Sequence, residues 1–495
     1  MTKQVSFIST SLPYVNAAPH IGHALEFVQA DVLARYRRLR GGDVFFLSGT
    51  DDNALKNVQA AEIQKVDPQI WIDKNAAVFQ ELCKILNISN DDFIRTSKDS
   101  RHIDGAKKLW LACKKEDIYK KSYRGLYCVG CEEFKAEGDL ANGECPEHPG
   151  KKLEVVEEEN YFFNLSRYAD QLQELIETNR LRIIPESRKN EILAVIKGGL
   201  HDFSISRPVA RTKAWGVGVP NDDSQTMYVW FDALSNYING LGYATNDEQF
   251  KKYWVEGGDR LHVIGKGITR FHAVYWPAML LSAGVSLPST IFVHGYLTID
   301  GQKISKTLGN VIDPLEVAKK YGTDPLRYYL LREFSPTEDG DYSEEKFIGR
   351  YNADLANGLG NLVARVSTLA EKHGGLKTAI SKDVEDIVAE AISKTREKAY
   401  TAMDELRLND ALSGIWELVA FGDRYINDHK PWAEKDNRKT LINGVMIIDN
   451  IAALLTPFLP ETAKKITSCI AWKSSELLEV KKGENLFPRL INRTK

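Results

Sequence analysis

Two histidines with two residues between them stand near the start of the chain, in Pro19-His20-Ile21-Gly22-His23. Proline is favoured in the first turn of a helix, and residues three apart share one helix face. Backbone N–H groups and the helix dipole favour anions at that end of a helix. Because Gly22 has no side chain, a flat ring can lie against the backbone there. The pattern predicts a nucleotide site at His20, Gly22 and His23, and two surface histidines beside a helix cap are the alternative.

A second candidate segment, Lys303-Ile304-Ser305-Lys306-Thr307, follows a turn at Asp300-Gly301. Lysine ammonium groups are compact charges suited to a polyphosphate, which makes Lys303 and Lys306 candidates for binding one. A solvated basic loop is the alternative for this segment taken alone. Taken together, His-Ile-Gly-His and Lys-x-Ser-Lys are the two signature sequences of class I aminoacyl-tRNA synthetases, which the chain resembles over its whole catalytic region.

Three of the six cysteines fall within eighteen residues and form two chelating pairs with a histidine. Cys128-x-x-Cys131 is followed, after thirteen residues, by Cys145-x-x-His148. Three thiolates and one imidazole at this spacing predict one tetrahedral zinc ion with a structural role, because four protein ligands leave no open position. A redox-active C-x-x-C motif is a poor alternative, because such motifs do not come with a second pair of metal-ligating residues. Unrelated thiols are the other alternative.

The elements that must position these residues follow an α/β pattern. Val5–Thr10 is predicted to be a strand, a helix is predicted from Pro19 to Arg40, and Asp43–Ser48 reads as a buried strand. Strand, helix and strand in this order are typical of a parallel crossover unit, with which nucleotide-binding folds begin. Further strands are predicted at Thr226–Phe231 and Leu261–Ile264.

Between these α/β halves, a cysteine-containing region with short aromatic strands reads as an insertion, and beyond residue 351 helical periodicity dominates. The predicted helical segments include Asp354–His373, Asp383–Asp404 and Ile442–Leu455. The predicted fold is α/β: a Rossmann-like parallel-sheet catalytic domain split by a zinc-knuckle insertion and followed by an all-α bundle, which resembles the anticodon-binding bundle of the synthetases. The predicted domains are 1–116 and 223–295 (the two catalytic halves), 117–222 (the insertion), 296–348 (a stem-contact region with the KISKT loop) and 349–495 (the bundle).

Composition agrees with a soluble multidomain protein. The 495 residues include 65 basic and 68 acidic residues, a net charge of −3, so no global positive field attracts nucleic acid. The uncharged stretch Phe271–Ile299 is broken by Pro277, Gly284 and Pro288, which favours a buried helix and a strand over a membrane span. No signal peptide is recognised, and we expect a cytoplasmic protein. Because no extra module follows the bundle, a monomer is expected.

Four segments, LPYVNAAPHIGH, YVWFDALSNY, FHAVYWPAML and DGQKISKT, resemble methionyl-tRNA synthetase closely, and the resemblance runs from about Ser6 to Leu459. The insertion of about a hundred residues is too short for the editing domain of the isoleucyl, leucyl and valyl enzymes. Cysteinyl-tRNA synthetase is the nearest alternative, but its zinc receives the amino acid. The resemblance implies ATP-dependent activation of methionine and its transfer to tRNA(Met), with Mg²⁺ accompanying ATP.

The resemblance also assigns site residues. The residues that the resemblance assigns to ATP binding are His20, Gly22, His23, Lys303, Lys306 and Gly265, the last from the family's Gly-Lys-Asp pattern. Four of them, His20, His23, Lys303 and Lys306, are also assigned as catalytic residues. Asp51 falls at the methionine ammonium. The methionine pocket falls on Leu12, Tyr14, Trp230, Ala233, Leu234, Tyr237, Phe271, His272 and Trp276. Aromatic walls suit a thioether, although single aromatics here could equally be core residues. The CAU anticodon contacts fall on Asn361, Arg365 and Trp432, where a core or capping role is the alternative for the tryptophan.

Two departures from the family pattern concern the site. The usual Gly-Thr-Asp-Glu-His-Gly reads Gly49-Thr50-Asp51-Asp52-Asn53-Ala54, and Gly267 stands where an aspartate near the ATP ribose is usual. These departures leave open which groups hold the ammonium side and the ribose. Two other functional classes are alternatives to the ligase: a catalytically inactive paralogue that binds tRNA or a partner, and a nucleotidyltransferase without tRNA.

Overall fold

The computed structural model describes residues 4–128, 133–135, 138, 140–146, 150–304, 309–377, 383–433, 436–474 and 477–490. The chain divides into two compact units. The first unit comprises Met1–Ala30, Arg40–Lys84 and Ile88–His294, and the second comprises Asp31–Leu39, Ile85–Asn87 and Gly295–Lys495. Among the described residues, no helix is both long enough and apolar enough to cross a membrane.

Thirteen described strands belong to the first unit. They are β1 (Val5–Ser9), β2 (Asp43–Thr50), β3 (Asp92–Arg95), β4 (Ile118–Cys128), β5 (Glu133–Lys135), β6 (Glu154–Phe163), β7 (Arg182–Ile184), β8 (Phe203–Ser204), β9 (Ser206–Pro208), β10 (Gly218–Val219), β11 (Asp222–Met227), β12 (Asp259–Gly265) and β13 (Thr290–His294).

Ten helices accompany these strands, together with 3₁₀ turns at Lys115–Asp117, Leu165–Tyr168 and Lys266–Ile268 and π-helical segments at Lys251–Glu256 and Phe271–Tyr275. The helices are α1 (Ile21–Leu39), which continues into the second unit, α2 (Leu55–Ile63), α3 (Pro68–Ile85), α4 (Ser100–Ala112), α5 (Ala169–Glu177), α6 (Glu186–Lys197), α7 (Val209–Thr212), α8 (Val229–Asn239), α9 (Glu248–Phe250) and α10 (Trp276–Ala283).

Six of the strands form one parallel sheet in the spatial order β3-β2-β1-β12-β13-β7. Apolar residues of β1 and β2 such as Phe7, Ile8 and Phe46 are fully buried, as expected for parallel strands that are covered on both faces. The strand order reverses between β1 and β12. In open α/β sheets a ligand crevice lies at such a reversal, beside the carboxyl ends of the strands.

The predicted strand–helix–strand beginning is confirmed as β1, α1 and β2, and the strand predicted at Leu261–Ile264 is confirmed within β12. The prediction at Thr226–Phe231 is wrong over its second half, since β11 ends at Met227 and α8 begins at Val229. A short apolar run fits a buried strand or a buried helix equally well, and packing of α8 against α4 decides for the helix.

The stretch from Ile118 to Met227, which covers nearly all of the predicted insertion, contains two antiparallel sheets, in the orders β5-β4-β6-β8 and β10-β11-β9. Strands β4 and β6 pair over ten successive positions, from Ile118 opposite Phe163 to Tyr127 opposite Glu154. Strand β7 also lies in this stretch of sequence, yet it pairs in parallel with β13 and so extends the large sheet.

The second unit is mainly helical. Its elements are β14 (Leu297–Ile299), β15 (Gln302–Lys303), α11 (Pro314–Tyr321), α12 (Thr323–Arg332), β16 (Gly340–Tyr342), α13 (Glu344–Arg350), a π-helical segment (Tyr351–Gly360), α14 (Asn361–Glu371), β17 (Leu376–Lys377), α15 (Asp386–Asp404), α16 (Leu408–His429), α17 (Arg438–Leu455), α18 (Pro460–Ser468), β18 (Ile470–Ser474) and β19 (Leu477–Val480). The helices predicted in this region are confirmed, and a small sheet in the order β17-β19-β18 is added to them.

A buried ion pair joins distant parts of the second unit. Arg327 and Asp31 have fully buried side chains, and their charged groups lie 2.7 Å apart. The same guanidinium donates to the carbonyl oxygens of Leu86, Pro457 and Phe458 at 2.8–3.0 Å. Burial of a charge requires such complete pairing, so Arg327 fixes α12 to three separate segments of this unit.

Candidate active site

The loop that follows β1 is tied to the end of β2. Tyr14 and Asp51 form a parallel bridge, and the backbone N–H of Asp51 donates to the carbonyl oxygen of Pro13 at 2.9 Å. The ammonium of Lys56 lies 3.3 Å from the centroid of the Tyr14 ring, a cation–π contact. Leu12 and Tyr14 pack against the apolar core. These three residues of the predicted methionine site therefore meet beside the carboxyl ends of β1 and β2.

His20 and His23 are in contact at the start of α1, with ring centroids 3.9 Å apart. The backbone N–H of Gly22 donates to Nδ1 of His20, and that of His20 donates to Nδ1 of His23, each at 3.1 Å. A neutral imidazole then carries its proton on Nε2, so each ring offers one Nε2–H donor. Burial lowers the pKa of His23 well below its ordinary value, and the charges of His20 and His294 lower it further. His23 is therefore neutral at physiological pH.

Helix α8 supplies one wall of the site through residues at helical spacing, namely Trp230, Ala233, Leu234 and Tyr237. Trp230 stacks on Phe271, with ring centroids 3.9 Å apart and planes only 4° from parallel. Phe271 and His272 belong to the π-helical segment that leads directly into α10 and Trp276. All of these side chains are buried. Two helical elements therefore bring together the aromatic residues assigned to methionine other than Tyr14.

His272 is held in one protonation state and one orientation. Its Nδ1 lies 3.0 Å from the carbonyl oxygen of Ile268 and must donate to it, which leaves Nε2 to accept from the Tyr237 hydroxyl at 2.7 Å. Burial lowers the pKa of His272 to about 4 and raises the pKa of Tyr237 well above its ordinary value. Both groups are therefore neutral at physiological pH, and the hydroxyl donates to the imidazole.

Sequence reasoning missed His262, which lies on β12 under the aromatic cluster. The indole N–H of Trp276 donates to Nε2 of His262 at 3.3 Å, so its Nδ1–H donates to Oγ of Ser9 at 2.8 Å. The Tyr237 ring lies 4.2 Å away, centroid to centroid. Burial lowers the pKa of His262 well below its ordinary value. This neutral imidazole fixes the orientation of Trp276 against the sheet.

A buried carboxylate, Glu26 on α1, was also missed. Its Oε1 accepts from the backbone N–H and the hydroxyl of Ser11, at 2.8 and 2.6 Å, and its Oε2 lies 2.9 Å from Nε2 of His294. The helix that carries His20 and His23 is thereby fixed to the loop after β1. The available signal was an acidic residue between Leu25 and Phe27, within an apolar part of α1.

A further buried network joins the end of β2 to helices α4 and α8. The side-chain amide of Asn53 donates to Oδ2 of Asp232 at 2.7 Å, and Oδ1 of Asp232 is hydrogen-bonded to Nε2 of His102. His102 and Asp232 have no exposed surface, and Asn53 is 8% exposed. The only available signal was polar residues inside otherwise apolar segments.

The residues assigned to ATP are only partly described. A Cβ atom at Gly22 would lie 3.0 Å from Cε1 of His20, so a side chain there would displace the imidazole. Gly265 ends β12, and Gly267 lies in the 3₁₀ turn that follows. The backbone of Lys303 ends β15, whereas its side chain and all of Lys306 lie outside the described residues.

Only two of the four predicted zinc ligands belong to the residues that the structure describes. Cys128, the last residue of β4, and Cys145 are buried, and Cys131 and His148 lie outside the described residues. A tight turn precedes Cys145, with Ala141 bridged to Glu144 across Asn142 and Gly143. Within the part of the chain that the structure describes, no group of three or more metal-ligating side chains occurs.

Of the three residues assigned to the anticodon, Asn361 and Arg365 lie on α14, and Trp432 lies in the turn that follows α16. The guanidinium carbon of Arg365 lies 5.3 Å from the centroid of the Trp432 ring, and its Nη2 donates to Oδ1 of Asn427 at 2.7 Å. Trp432 is 53% exposed, which excludes the core alternative. Asn361 begins α14, one turn before Arg365. An exposed indole beside a cation suits stacking on an unpaired base.

Two family models match the chain. The model described as tRNA synthetases class I (M) matches residues 6–153 and 148–367. The model described as the anticodon-binding domain of tRNA ligase matches residues 386–487. The chain is also 41% identical to the methionine–tRNA ligase of Thermotoga maritima, over 98% of this chain and 80% of that protein. The chain belongs to the methionyl-tRNA synthetases.

Other members of the methionyl-tRNA synthetase family are similarly close. The methionine–tRNA ligase of Brucella suis is 40% identical over 95% of this chain and 92% of its own length. The Mycobacterium tuberculosis methionyl-tRNA synthetase in complex with methionyl-adenylate aligns with a TM-score of 0.88 at 39% identity, covering 94% of this chain and 93% of that chain. The apo form of the M. tuberculosis enzyme aligns with a TM-score of 0.83 at 34% identity, covering 99% of both chains. Family membership confirms the resemblance, the class I catalytic fold and the helical anticodon-binding domain predicted from the sequence.

Proposed function

We propose that this chain is the methionine–tRNA ligase that its family membership indicates, acting in translation initiation and elongation. In the first step, the carboxylate of methionine attacks the α-phosphorus of ATP, the bond to the β-phosphate oxygen breaks, and pyrophosphate leaves. In the second step, a hydroxyl of the terminal ribose of tRNA(Met) attacks the carbonyl carbon of methionyl-adenylate and releases AMP. Positioning and charge stabilisation carry such chemistry without a protein nucleophile.

The observation that carries the proposal is the aromatic wall beside the β1–β12 reversal. Trp230 stacked on Phe271, with Tyr237 bonded to His272, forms a buried apolar wall with one fixed hydroxyl–imidazole pair. A flexible thioether gains about 0.3–1.5 kcal/mol from each sulfur–aromatic contact. Asp51, bridged to Tyr14, supplies the carboxylate for the ammonium. The complete pocket in this proposal is Leu12, Tyr14, Asp51, Trp230, Ala233, Leu234, Tyr237, Phe271, His272 and Trp276.

For ATP, the two histidines of α1 provide neutral donors. Because Nδ1 of each ring is occupied by a backbone N–H, Nε2 of His20 and of His23 can donate to phosphate oxygens while the helix N-terminus favours their charge. Gly22 and Gly265 leave room for the nucleotide. Lys303 and Lys306 neutralise the charge that develops on pyrophosphate, and Mg²⁺ bound with ATP supplies further charge neutralisation.

The proposal includes one structural zinc ion held by Cys128, Cys131, Cys145 and His148. Its support is the ligand spacing together with the burial of Cys128 and Cys145. Thiolates prefer a soft metal, and four protein ligands would complete a tetrahedral site. The zinc stabilises the inserted region, within the domain boundaries predicted at 117 and 222, and takes no part in the reaction.

Asn361, Arg365 and Trp432 bind the CAU anticodon in this proposal. The cation–π contact between Arg365 and Trp432 supports it, because a base can stack on the exposed indole while the guanidinium hydrogen-bonds to a base edge. The remaining domain boundaries, a monomeric state, the absence of a membrane partner and a cytoplasmic location also belong to the proposal. Sedimentation of the purified chain tests the monomer.

The decisive experiment is methionine-dependent exchange of pyrophosphate into ATP, followed by charging of initiator and elongator tRNA(Met) transcripts. The proposal expects exchange with methionine, charging of both transcripts, and loss of charging when the CAU anticodon is changed. Exchange without charging would indicate a nucleotidyltransferase. Binding of tRNA without exchange would indicate an inactive paralogue.

A further inference from the structure

We propose that Asn53 is a positioning residue that fixes the carboxylate of Asp51 relative to helix α8. The inference rests on the proposed role of Asp51 as the ligand of the methionine ammonium. Residue 53 is also where the chain departs from the usual family pattern, with asparagine in place of histidine. In the structure this asparagine makes two separate hydrogen bonds to carboxylates, one from its backbone to Asp51 and one from its side chain to Asp232.

The first hydrogen bond holds Asp51 itself. The backbone N–H of Asn53 donates to Oδ1 of Asp51 at 3.1 Å, and the hydroxyl of Thr96 lies 3.4 Å from the same oxygen. The first contact forms a local turn in which the carboxylate is held by the backbone two residues further on, and the second comes from the distant Thr96. Any displacement of Asn53 therefore displaces the Asp51 carboxylate.

The second hydrogen bond holds Asp232 on α8. The side-chain amide of Asn53 donates to Oδ2 of Asp232 at 2.7 Å and lies 3.3 Å from the carbonyl oxygen of Thr96. The other carboxylate oxygen is bonded to Nε2 of His102. Nδ1 of His102 lies 3.4 Å from the amide of Asn239, which donates to it, so the histidine donates to Asp232 through Nε2–H. Both oxygens of a fully buried carboxylate are thus satisfied.

The position of α8 matters because its two faces serve different partners. Trp230, Ala233, Leu234 and Tyr237 lie on the face toward the proposed methionine pocket, whereas Asp232 and Asn239 bond to residues outside that face. Asn239 also donates to the carbonyl oxygen of His102 at 3.2 Å. The approach of α4 is close: a Cβ atom at Gly105 would lie 2.0 Å from Oδ1 of Asn239.

Through these bonds, Asn53 sets the separation between two subsites. One end of methionine is its ammonium, next to Asp51, and the other is the thioether, next to the aromatic residues of α8. A donor at residue 53 bonds to Asp232 on the helix and, through its own backbone, to Asp51. Without that donor, residue 53 no longer bonds to Asp232, and the Asp51 carboxylate is no longer held at a fixed distance from α8. The contact between Asp51 and the methionine ammonium then weakens, whereas the aromatic residues that contact the thioether keep their packing.

The test compares how tightly two ligands bind to the unaltered chain and to an Asn53→Leu variant. This substitution keeps the volume of the side chain and removes its hydrogen-bond donor. L-Methioninol has the thioether and the ammonium, and 4-(methylthio)butanoate has the thioether and a carboxylate but no ammonium. Inhibition constants are measured in the exchange assay, alongside the KM for ATP. We expect Asn53→Leu to weaken methioninol binding about 10- to 100-fold, the scale of a small misplacement of a binding group. The constant for 4-(methylthio)butanoate and the KM for ATP should change less than about threefold.

Two further variants serve as controls. Asn53→His keeps an N–H donor and should bind methioninol within about threefold of the unaltered chain. Asn75→Leu removes a buried amide of α3 that donates to the carbonyl oxygen of Trp71 at 3.0 Å, and it should change neither inhibition constant. If Asn53→Leu does not fold by circular dichroism, Asn53→Ala provides the same comparison.

Equal losses for both ligands, or a histidine variant as weak as the leucine variant, would overturn the inference and leave the proposed function standing. An unaltered chain that binds neither ligand and shows no exchange would overturn the proposed function and the inference together.

Discussion

Removal of the Tyr237 hydroxyl tests the hydrogen bond at the centre of the proposed methionine pocket. Tyr237 is 2% exposed and His272 is 1% exposed, so water does not replace a lost partner. The bond to Ile268 prevents the imidazole from turning, and Tyr237→Phe therefore leaves Nε2 of His272 as a buried acceptor without its donor. Such a group costs about 1–3 kcal/mol, and we expect a loss of that size in the free energy of unfolding at pH 7.5.

The loss should depend on pH, and its direction follows from the pKa of His272. Burial lowers that pKa from 6.5 to about 4, so the unfolded chain binds the proton more tightly. The resulting stabilisation, about 3 kcal/mol at most, is complete above pH 6.5 and is lost as the pH falls toward 4. The tyrosine hydroxyl occupies the lone pair that a proton would take, so its removal raises the pKa of His272. We therefore expect the deficit of Tyr237→Phe to be smaller at pH 5 than at pH 7.5.

The measurement is urea unfolding of both proteins at pH 7.5 and pH 5, together with the KM for methionine in the exchange assay. Tyr328→Phe is the matched control, because it removes a 2.7 Å bond from a buried tyrosine to Asp354 in the helical unit. The control should lose stability without a change in the KM for methionine, whereas Tyr237→Phe should raise that KM. Unchanged stability and KM in Tyr237→Phe would refute the assigned hydrogen bond.

Three further predictions concern other parts of the proposed machinery. Lys306→Ala should slow adenylate formation about 10²–10³-fold with methionine affinity unchanged, and equal losses in both quantities would show a structural loop. Cys145→Ala should release zinc, measured by elemental analysis, and lower the melting temperature of the inserted region, because metal binding energy is folding energy in such sites. An unaltered protein without zinc would contradict that assignment. Trp276→Ala should reduce the ratio of kcat/KM for methionine to that for its S-ethyl analogue more than it changes ATP affinity; an unchanged ratio would make Trp276 only a core residue.

Much of the catalytic fold follows from patterns that are local in the chain. The apolar run before Leu12, the proline and histidines that open α1, and the glycines that end it predict β1, α1 and β2 from neighbouring residues alone. Helix α8 is different, because the run Thr226–Phe231 was predicted as a strand, and the shared face of Trp230, Ala233, Leu234 and Tyr237 follows only once packing against α4 makes the segment helical. The three-residue spacing of His20 and His23 predicted that they lie on one side of the helix start, and the structure adds that their rings are in contact, although α1 begins only at Ile21.

Tertiary structure decided what depends on distant segments. Strand β7 is three residues long and joins the large sheet only because β13 offers it an edge, a pairing that no local pattern specifies. Asn53 and Asp232 are 179 residues apart, and His102 and Asp232 are 130 residues apart. The sequence shows each of them only as a polar residue in an apolar segment and does not indicate its hydrogen-bond partner. The charge and tautomer of His272 follow from its burial and from Tyr237 and Ile268. A sequence specifies a residue's chemical groups and its chain neighbours, but the free energy of a buried polar group depends on which distant group the fold places within 3 Å of it.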